Sequence, residues 1–235
     1  MSAEQTPVSA QVDHLVVAAT TLDEAAAWCE QTLGVTPEPG GEHPLMGTHN
    51  RLLSIGSAQF PDAYLELIAI NSGAACARTA GLKRWFDLDD GEMQNQLRKK
   101  GPRLIHFVAR SASATAAVRA LRRVGLERGE LLKASRQTAQ GVLSWKISIR
   151  DDGQRLFYGA LPTLIEWGSV HPAGSIPGSG VVLASLQVAH PRADTLRIGY
   201  EAIGLQSVSI AAGAPNIAAT LHTPRGLVVL ESKGI

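Results

Sequence analysis

Three stretches of this chain share one alternation of apolar and polar positions. Each opens on a β-rich apolar run: VDHLVVAA from Val12, RLIHFVA from Arg103 and VVLASLQVA from Val181. A helical period follows each run. Thr21 and Glu24 have the spacing of a capping box, and Leu22, Ala25, Ala26, Cys29 and Leu33 then mark one helical face. Ser113 is placed to cap a second helix striped by Ala114, Ala117, Val118 and Leu121. Pro191 suits the first position of a third, striped by Leu196, Gly199, Tyr200 and Ile203. All three patterns stop at glycine followed by an aliphatic residue, Gly34-Val35, Gly125-Leu126 and Gly204-Leu205, as left-handed helix ends require.

Further strand-like runs come next, clearest in RLLSIG from Arg51, VLSWKISI from Val142 and NIAATLH from Asn216. The closing strands AYLELIAI, PTLIEWG and GLVVLES each carry an acid inside an apolar run: Glu66, Glu166 and Glu231. The pattern predicts an α+β fold of repeated βαβββ modules. Two modules, 10–70 and 103–168, with a helical insert 71–102 between them, make a first domain over 1–175, and a third related module covers 181–235. The insert is helical and charged from Ala80 to Lys100, and HPAGSIPGSG is a flexible joint before the third module.

Composition narrows the class. With 45% hydrophobic and 18% charged residues the chain is neither disordered nor a coiled coil. A net charge of +1 creates no field that gathers phosphates or anionic lipids, so nucleic acid is not an expected partner. Cys29 and Cys76 are too few for a disulfide framework and are read as reduced thiols. The first residues lack a signal-peptide pattern and no run reaches the roughly 20 apolar residues of a membrane span, so the expectation is a cytoplasmic protein without a membrane partner. Hydrolase, kinase and nicotinamide signatures are missing: there is no G-x-S-x-G elbow, phosphate-loop lysine motif or Rossmann glycine fingerprint.

Candidate chemistry lies where polar residues interrupt strands that otherwise read as buried. His14 and His106 stand in the opening strands of the first two modules, Glu66 and Glu166 in their closing strands. A carboxylate in an apolar strand is costly unless paired or coordinated. Taken singly, such a histidine is a hydrogen-bonded core residue and such a glutamate faces solvent. Taken as a repeat, the four positions converge on a pseudo-twofold axis, where one divalent cation would serve all of them.

The stretches DHLVVAATTLDEAAAWCEQTLGV, GTHNRLLSIG and AYLELIAI, together with LPTLIEWG, resemble the glyoxalase-like branch of the vicinal oxygen chelate superfamily. The resemblance covers the first two modules well and the third more loosely. It implies that two modules pair into an open curled barrel around a metal, with ligands from the first and last strand of each: His14, Glu66, His106 and Glu166. Such nitrogen and oxygen ligation suits Fe, Mn, Ni, Co or Zn, leaving sites for vicinal oxygens of a small substrate. The implied activity is a lyase, isomerase or dioxygenase in which the ion acts as Lewis acid and Glu166 as the base. The same cup also hosts metal-free binding or sequestering proteins, which is the alternative class.

A rival pairing of the second and third modules would use His106, Glu166, Gln187 and Glu231. An unpartnered third module leaves a sheet edge or concave face to be covered, which predicts a homodimer. His43, Thr48, His49, Asn50 and Arg51 form a polar cluster able to reach the barrel mouth, and His49, Asn50 and Arg51 are candidate substrate contacts, with Trp145 and Trp167 as walls. His171, His190 and His222 match nothing in the repeat and are assigned no chemistry.

Overall fold

The computed structural model describes residues 8–138 and 141–235. The first module is strand β1 (Ala10–Ala18), helix α1 (Leu22–Leu33) and strands β2 (Glu38–His43), β3 (Thr48–Ser54) and β4 (Tyr64–Ile70). Helix α2 (Gly91–Lys100) lies in the insert. The second module is β5 (Arg103–Ser111), α3 (Ala114–Arg123), β6 (Glu130–Thr138), β7 (Gly141–Ile149) and β8 (Thr163–Trp167). The third comprises β9 (Val182–Ala189), α4 (Ala193–Ile203), β10 (Val208–Ala211), β11 (Asn216–Thr223) and β12 (Gly226–Glu231).

Local chemistry sets most of these boundaries. Thr21 accepts from the Glu24 amide at 3.1 Å, while the Glu24 carboxylate reaches back to the Thr20 amide, so the capping box closes one residue earlier than its spacing implied. Helix α1 stops at Gly34 and α4 at Gly204, both left-handed with φ of 77° and 66°. Pro191 is not the first helical residue: Arg192 is the N-cap of α4, and its amide donates to His190 Nδ1. The insert is less helical than its charge pattern suggested. Only Gly91–Lys100 is α-helix; the segment before it folds back so that Trp85 and Phe86 become buried.

Eight strands form one curled sheet in the order β2-β3-β4-β1-β5-β8-β7-β6. The modules meet at the antiparallel β1–β5 pair, and each opening strand runs parallel to its own closing strand, β1 to β4 and β5 to β8. The two halves of a barrel wall are therefore related as the repeat implied. The third module makes a separate sheet, β10-β9-β11-β12, with a different internal order: β9 lies between β10 and β11 and does not pair with β12. Gln187, Ala218 and Glu231 share one row of that sheet, Gln187 is exposed, and Glu231 accepts from Asn216 at 3.0 Å. The rival quartet thus has no shared centre.

Two apolar cores lie on opposite faces of the large sheet. On the convex face Leu15, Val17, Leu65 and Phe107 pack with Leu33 of α1, Leu121 of α3, Leu196 and Tyr200 of α4, and Leu183, Ile217 and Leu221 of the smaller sheet. On the concave face Val16, Ile68, Val108, Ile147 and Ile165 pack with Met46 and with Trp85, Phe86, Leu88, Met93 and Leu97 of the insert. The insert fills much of the cup that the curled sheet encloses.

The two thiols differ sharply in access. Cys29 is fully buried and burial, with Glu30 nearby, pushes its thiol up to about 12, whereas Cys76 is only half-buried. Thiol titration of the native protein at pH 8 is expected to count one fast-reacting cysteine, and a second only after denaturation. Two fast thiols in the native state would place α1 in the wrong packing.

Candidate functional site

Register decides which side chains share the concave face. His14 pairs with Tyr64 on β4 and Val108 on β5, while Val16 pairs with Glu66 and His106. His14, Glu66 and His106 therefore project into the same cup. Between Val12 and His14 the β1–β5 register slips, leaving Asp13 outside the ladder. A bulge of this kind lets neighbouring side chains meet that strict alternation would separate. Asp13 Oδ1 sits 2.6 Å from His14 Nδ1.

Asp13 is fully buried and is the hub of the site. Its Oδ2 accepts from Trp167 Nε1 at 2.9 Å and from His171 Nε2 at 3.0 Å. Burial alone would raise its carboxyl, but hydrogen bonds from His14 and His171 more than offset that and hold it well below the usual carboxylate range. Because the carboxylate can only accept, His14 Nδ1 carries a proton, and Nε2 is the ring nitrogen that faces the cavity. That nitrogen stands 3.6 Å from Glu66 Oε2, and the His14 ring stacks on Tyr64 with centroids 4.6 Å apart.

Glu66 is buried too. Its Oε1 accepts from Asn50 Nδ2 at 2.6 Å and lies 4.0 Å from His43 Nε2. Burial pushes His43 down to about 4, against an opposing pull from Glu66, so its ring is neutral at physiological pH. The cavity these groups line has a volume of about 40 Å³, with Trp85 and Arg136 among its other walls. Arg136 reaches across from β6 to β2, where a Cβ on Gly41 would fall 1.2 Å from its Nη1, so a side chain there would displace the guanidinium. Trp85 Nε1 and Arg136 Nε are buried donors without a partner among the described residues.

The other two predicted ligands do not join this centre. His106 is fully buried and both ring nitrogens are committed: Nδ1 lies 2.8 Å from the Gly159 carbonyl, and Nε2 accepts from the Thr163 amide at 3.1 Å. Burial, with Arg128 and Arg155 adding to it, holds the ring neutral by driving its proton affinity well below the usual histidine value. Glu166 projects from the opposite face of β8. Its two oxygens take the Ala114 amide at the start of α3, at 2.9 Å, and Lys146 Nζ, at 2.6 Å. It is a helix-terminus ion pair, and cannot serve as the base of a reaction in the cup.

The error has a register cause. Val16, two residues beyond His14, pairs with Glu66; Val108, two residues beyond His106, pairs with Thr163. The counterpart of Glu66 is therefore Thr163, which contacts His106, and not Glu166. Among the described residues no group of three or more histidine, cysteine, aspartate or glutamate side chains is arranged to hold a metal ion, so the predicted four-ligand set does not fit one.

Of the predicted substrate contacts, Asn50, Trp145 and Trp167 line the cavity, while His49 and Arg51 alternate to the other face of β3 and do not. Sequence reasoning missed Asp13, Tyr64, Trp85 and Arg136 as site residues, and it set His171 aside. A signal existed for Asp13 alone: an acid beside a histidine in an apolar strand needs a partner as much as Glu66 does.

The sequence model of a family described as "Glyoxalase-like domain" matches residues 12–204. No curated protein matches the chain. Among solved structures, a hypothetical protein from Staphylococcus aureus has a TM-score of 0.57 at 13% identity, over 94% of this chain and 85% of that one. A Streptomyces coelicolor methylmalonyl-CoA epimerase in complex with 2-nitronate-propionyl-CoA has a TM-score of 0.43 at 18% identity, over 70% of this chain and 98% of that one. For methylmalonyl-CoA epimerase from Mycobacterium tuberculosis the TM-score is 0.38 at 18% identity, over 74% and 97%. At such identities these likenesses concern the fold alone.

Proposed function

Since the chain belongs to the glyoxalase-like domain family, we propose that its concave cavity is a proton-transfer site for a small molecule with adjacent oxygen functions. The observation that carries this reading is the gap of 3.6 Å between His14 Nε2 and Glu66 Oε2. Two lone-pair atoms facing each other in a buried site repel unless a proton or a donor group lies between them. Asp13 fixes the His14 ring and would stabilise the imidazolium formed when Nε2 accepts a proton. The unpartnered donors of Trp85 and Arg136 would meet the negative charge that develops on a substrate oxygen.

The cavity of about 40 Å³ holds a few waters, not a substrate. Admission of a small molecule therefore requires the Trp85–Phe86 plug to move. Phe86 and Asp87 both have left-handed backbone, with φ of 61° and 58°, so the plug sits on a segment already out of its relaxed conformation. His106 and Glu166 take no part in this reading. A metal-dependent version would draw only on His14 and Glu66 of the four residues first expected.

Solvent-deuterium incorporation into dihydroxyacetone, hydroxyacetone and pyruvate, followed by NMR, tests the proposal. Wild type is expected to accelerate exchange in at least one probe, and His14→Gln to lower that rate by about 10²- to 10⁴-fold. Glu166→Ala should change neither the rate nor the metal content found by elemental analysis. If wild type is no faster than His14→Gln on all three probes, the site is a binding pocket and the catalytic reading fails. A loss of metal specific to Glu166→Ala would restore the four-ligand arrangement.

A further inference from the structure

A second cavity, of about 700 Å³, lies outside the cup, between α2, the turn Leu156–Gly159 and the loops that flank the smaller sheet. Its volume falls in the range of small-molecule sites. Two independent features mark it out. The first is charge. Lys100, Arg103 and Arg192 line it, and none of the ion pairs among the described residues engages them. Arg155, by contrast, is spent on Asp87 at 2.9 Å and on the Ile105 carbonyl, and Asp90 is spent capping α2. Glu92, hydrogen-bonded to Gln96, is the remaining acidic side chain of the wall, so among its side chains unpaired positive charge predominates.

The second feature is an aromatic wall held in costly backbone. Among the described residues six non-glycine positions have positive φ, and four of them, Asp87, Phe157, Tyr158 and Lys233, line this one cavity. Phe157, Tyr158 and Gly159 are left-handed in succession, with φ of 54°, 53° and 86°. Consecutive left-handed residues are disfavoured for L side chains and persist only where the surroundings over-determine them. Here they are pinned from behind: the Gly159 carbonyl meets His106 Nδ1, and the Ala160 carbonyl accepts from Tyr200. The outcome is a half-buried Phe157 ring with the Arg192 guanidinium 4.9 Å above it and His190 edge-on at 5.1 Å, next to an exposed Tyr158.

We propose that this cleft binds an organic anion carrying a flat ring, of the size class of a mononucleotide, with Lys100, Arg103 and Arg192 holding the anionic group and Phe157 and Tyr158 flanking the ring. Guanidinium and ammonium groups recognise phosphate or carboxylate, and aromatic faces accept any planar ring. The site is separate from the His14–Glu66 cavity and its test does not depend on it.

Calorimetric titration with AMP, adenosine and inorganic phosphate, on wild type, the Lys100→Gln/Arg192→Gln double variant and Glu66→Gln, decides the matter. Both substituted cations lack ion-pair partners, so the double variant is expected to keep the wild-type circular dichroism and melting temperature. AMP should bind wild type and Glu66→Gln alike, at least tenfold tighter than adenosine or phosphate, and about tenfold or more weaker in the double variant. Absence of saturable AMP binding at millimolar concentration overturns the proposal, as does an unchanged affinity in the double variant. Phosphate binding as tight as AMP removes the ring from it, and equal weakening by Glu66→Gln moves the ligand into the other cavity; either result overturns it.

Discussion

Asp13→Asn is expected to lower the unfolding free energy by about 3–5 kcal/mol and to abolish proton transfer at His14, because it breaks a fully buried charge-assisted hub. Three donors converge on the two oxygens of Asp13: His14 on Oδ1, Trp167 and His171 on Oδ2. An asparagine has one acceptor oxygen. With the amide oxygen toward His14, its NH₂ confronts the Trp167 N–H; with the oxygen toward Trp167 and His171, its NH₂ faces His14 Nδ1 and forces that ring to carry its proton on Nε2. Either a buried donor meets a donor or His14 loses the proton-accepting tautomer. Urea denaturation measures the stability and the deuterium assay measures the transfer. The pH dependence supplies a second reading with a fixed sign. The folded pKa of Asp13 is depressed, so its contribution is complete above the unfolded carboxylate value of about 3.9 and is lost as pH falls below that toward the folded value. Wild type should therefore lose stability more steeply than Asp13→Asn below about pH 4. Parallel curves for the two proteins would remove Asp13 from the role of buried anion.

This hub shows where a single sequence is legible and where it is not. His14 and Glu66 stand out because a polar side chain in an apolar strand must be accounted for, and the structure places both in one cavity. The βαβββ grammar is legible for the same reason: period 2 in strands, period 3.6 in helices and glycine stops are all local. Register is not local. Glu166 matches Glu66 as an acid in a closing strand, yet the β5–β8 pairing puts Thr163 in the equivalent row and turns Glu166 to the other face. Asp13 is hidden by the reverse effect, since alternation predicts that neighbours in a strand point apart and only the bulge after Val12 brings it to His14. The third module repeats the local signals of the first two but not their strand order, which no periodicity encodes. Trp85, Phe86 and Arg136 enter the cup from an insert and from across the sheet's edges, so their role depends on long-range closure.

His106→Leu separates the two histidines that sequence alone made equivalent. His14 turns its Nε2 to the cavity and Glu66, whereas His106 spends both ring nitrogens on its own module. Leucine there removes the partner of the Gly159 carbonyl and of the Thr163 amide, and takes from Arg128 Nη2 a neighbour at 3.3 Å. Arg128 is itself buried, but its Nη2 also donates to the Thr163 hydroxyl and its Nε to the Pro162 carbonyl at 2.8 Å, so the loss falls mainly on the Gly159 carbonyl and the Thr163 amide. Each unsatisfied buried group costs about 1–3 kcal/mol, and the expected loss is about 3–5 kcal/mol, read as a lower urea midpoint with an unchanged slope. The turn Phe157–Gly159 loses its anchor as well, so AMP affinity at the second cleft should fall with stability. Deuterium exchange at His14, measured well below the melting temperature, should stay within about threefold of wild type, because no atom of His106 borders the cavity. Full stability with lost exchange would reverse the assignment and return His106 to the reacting centre.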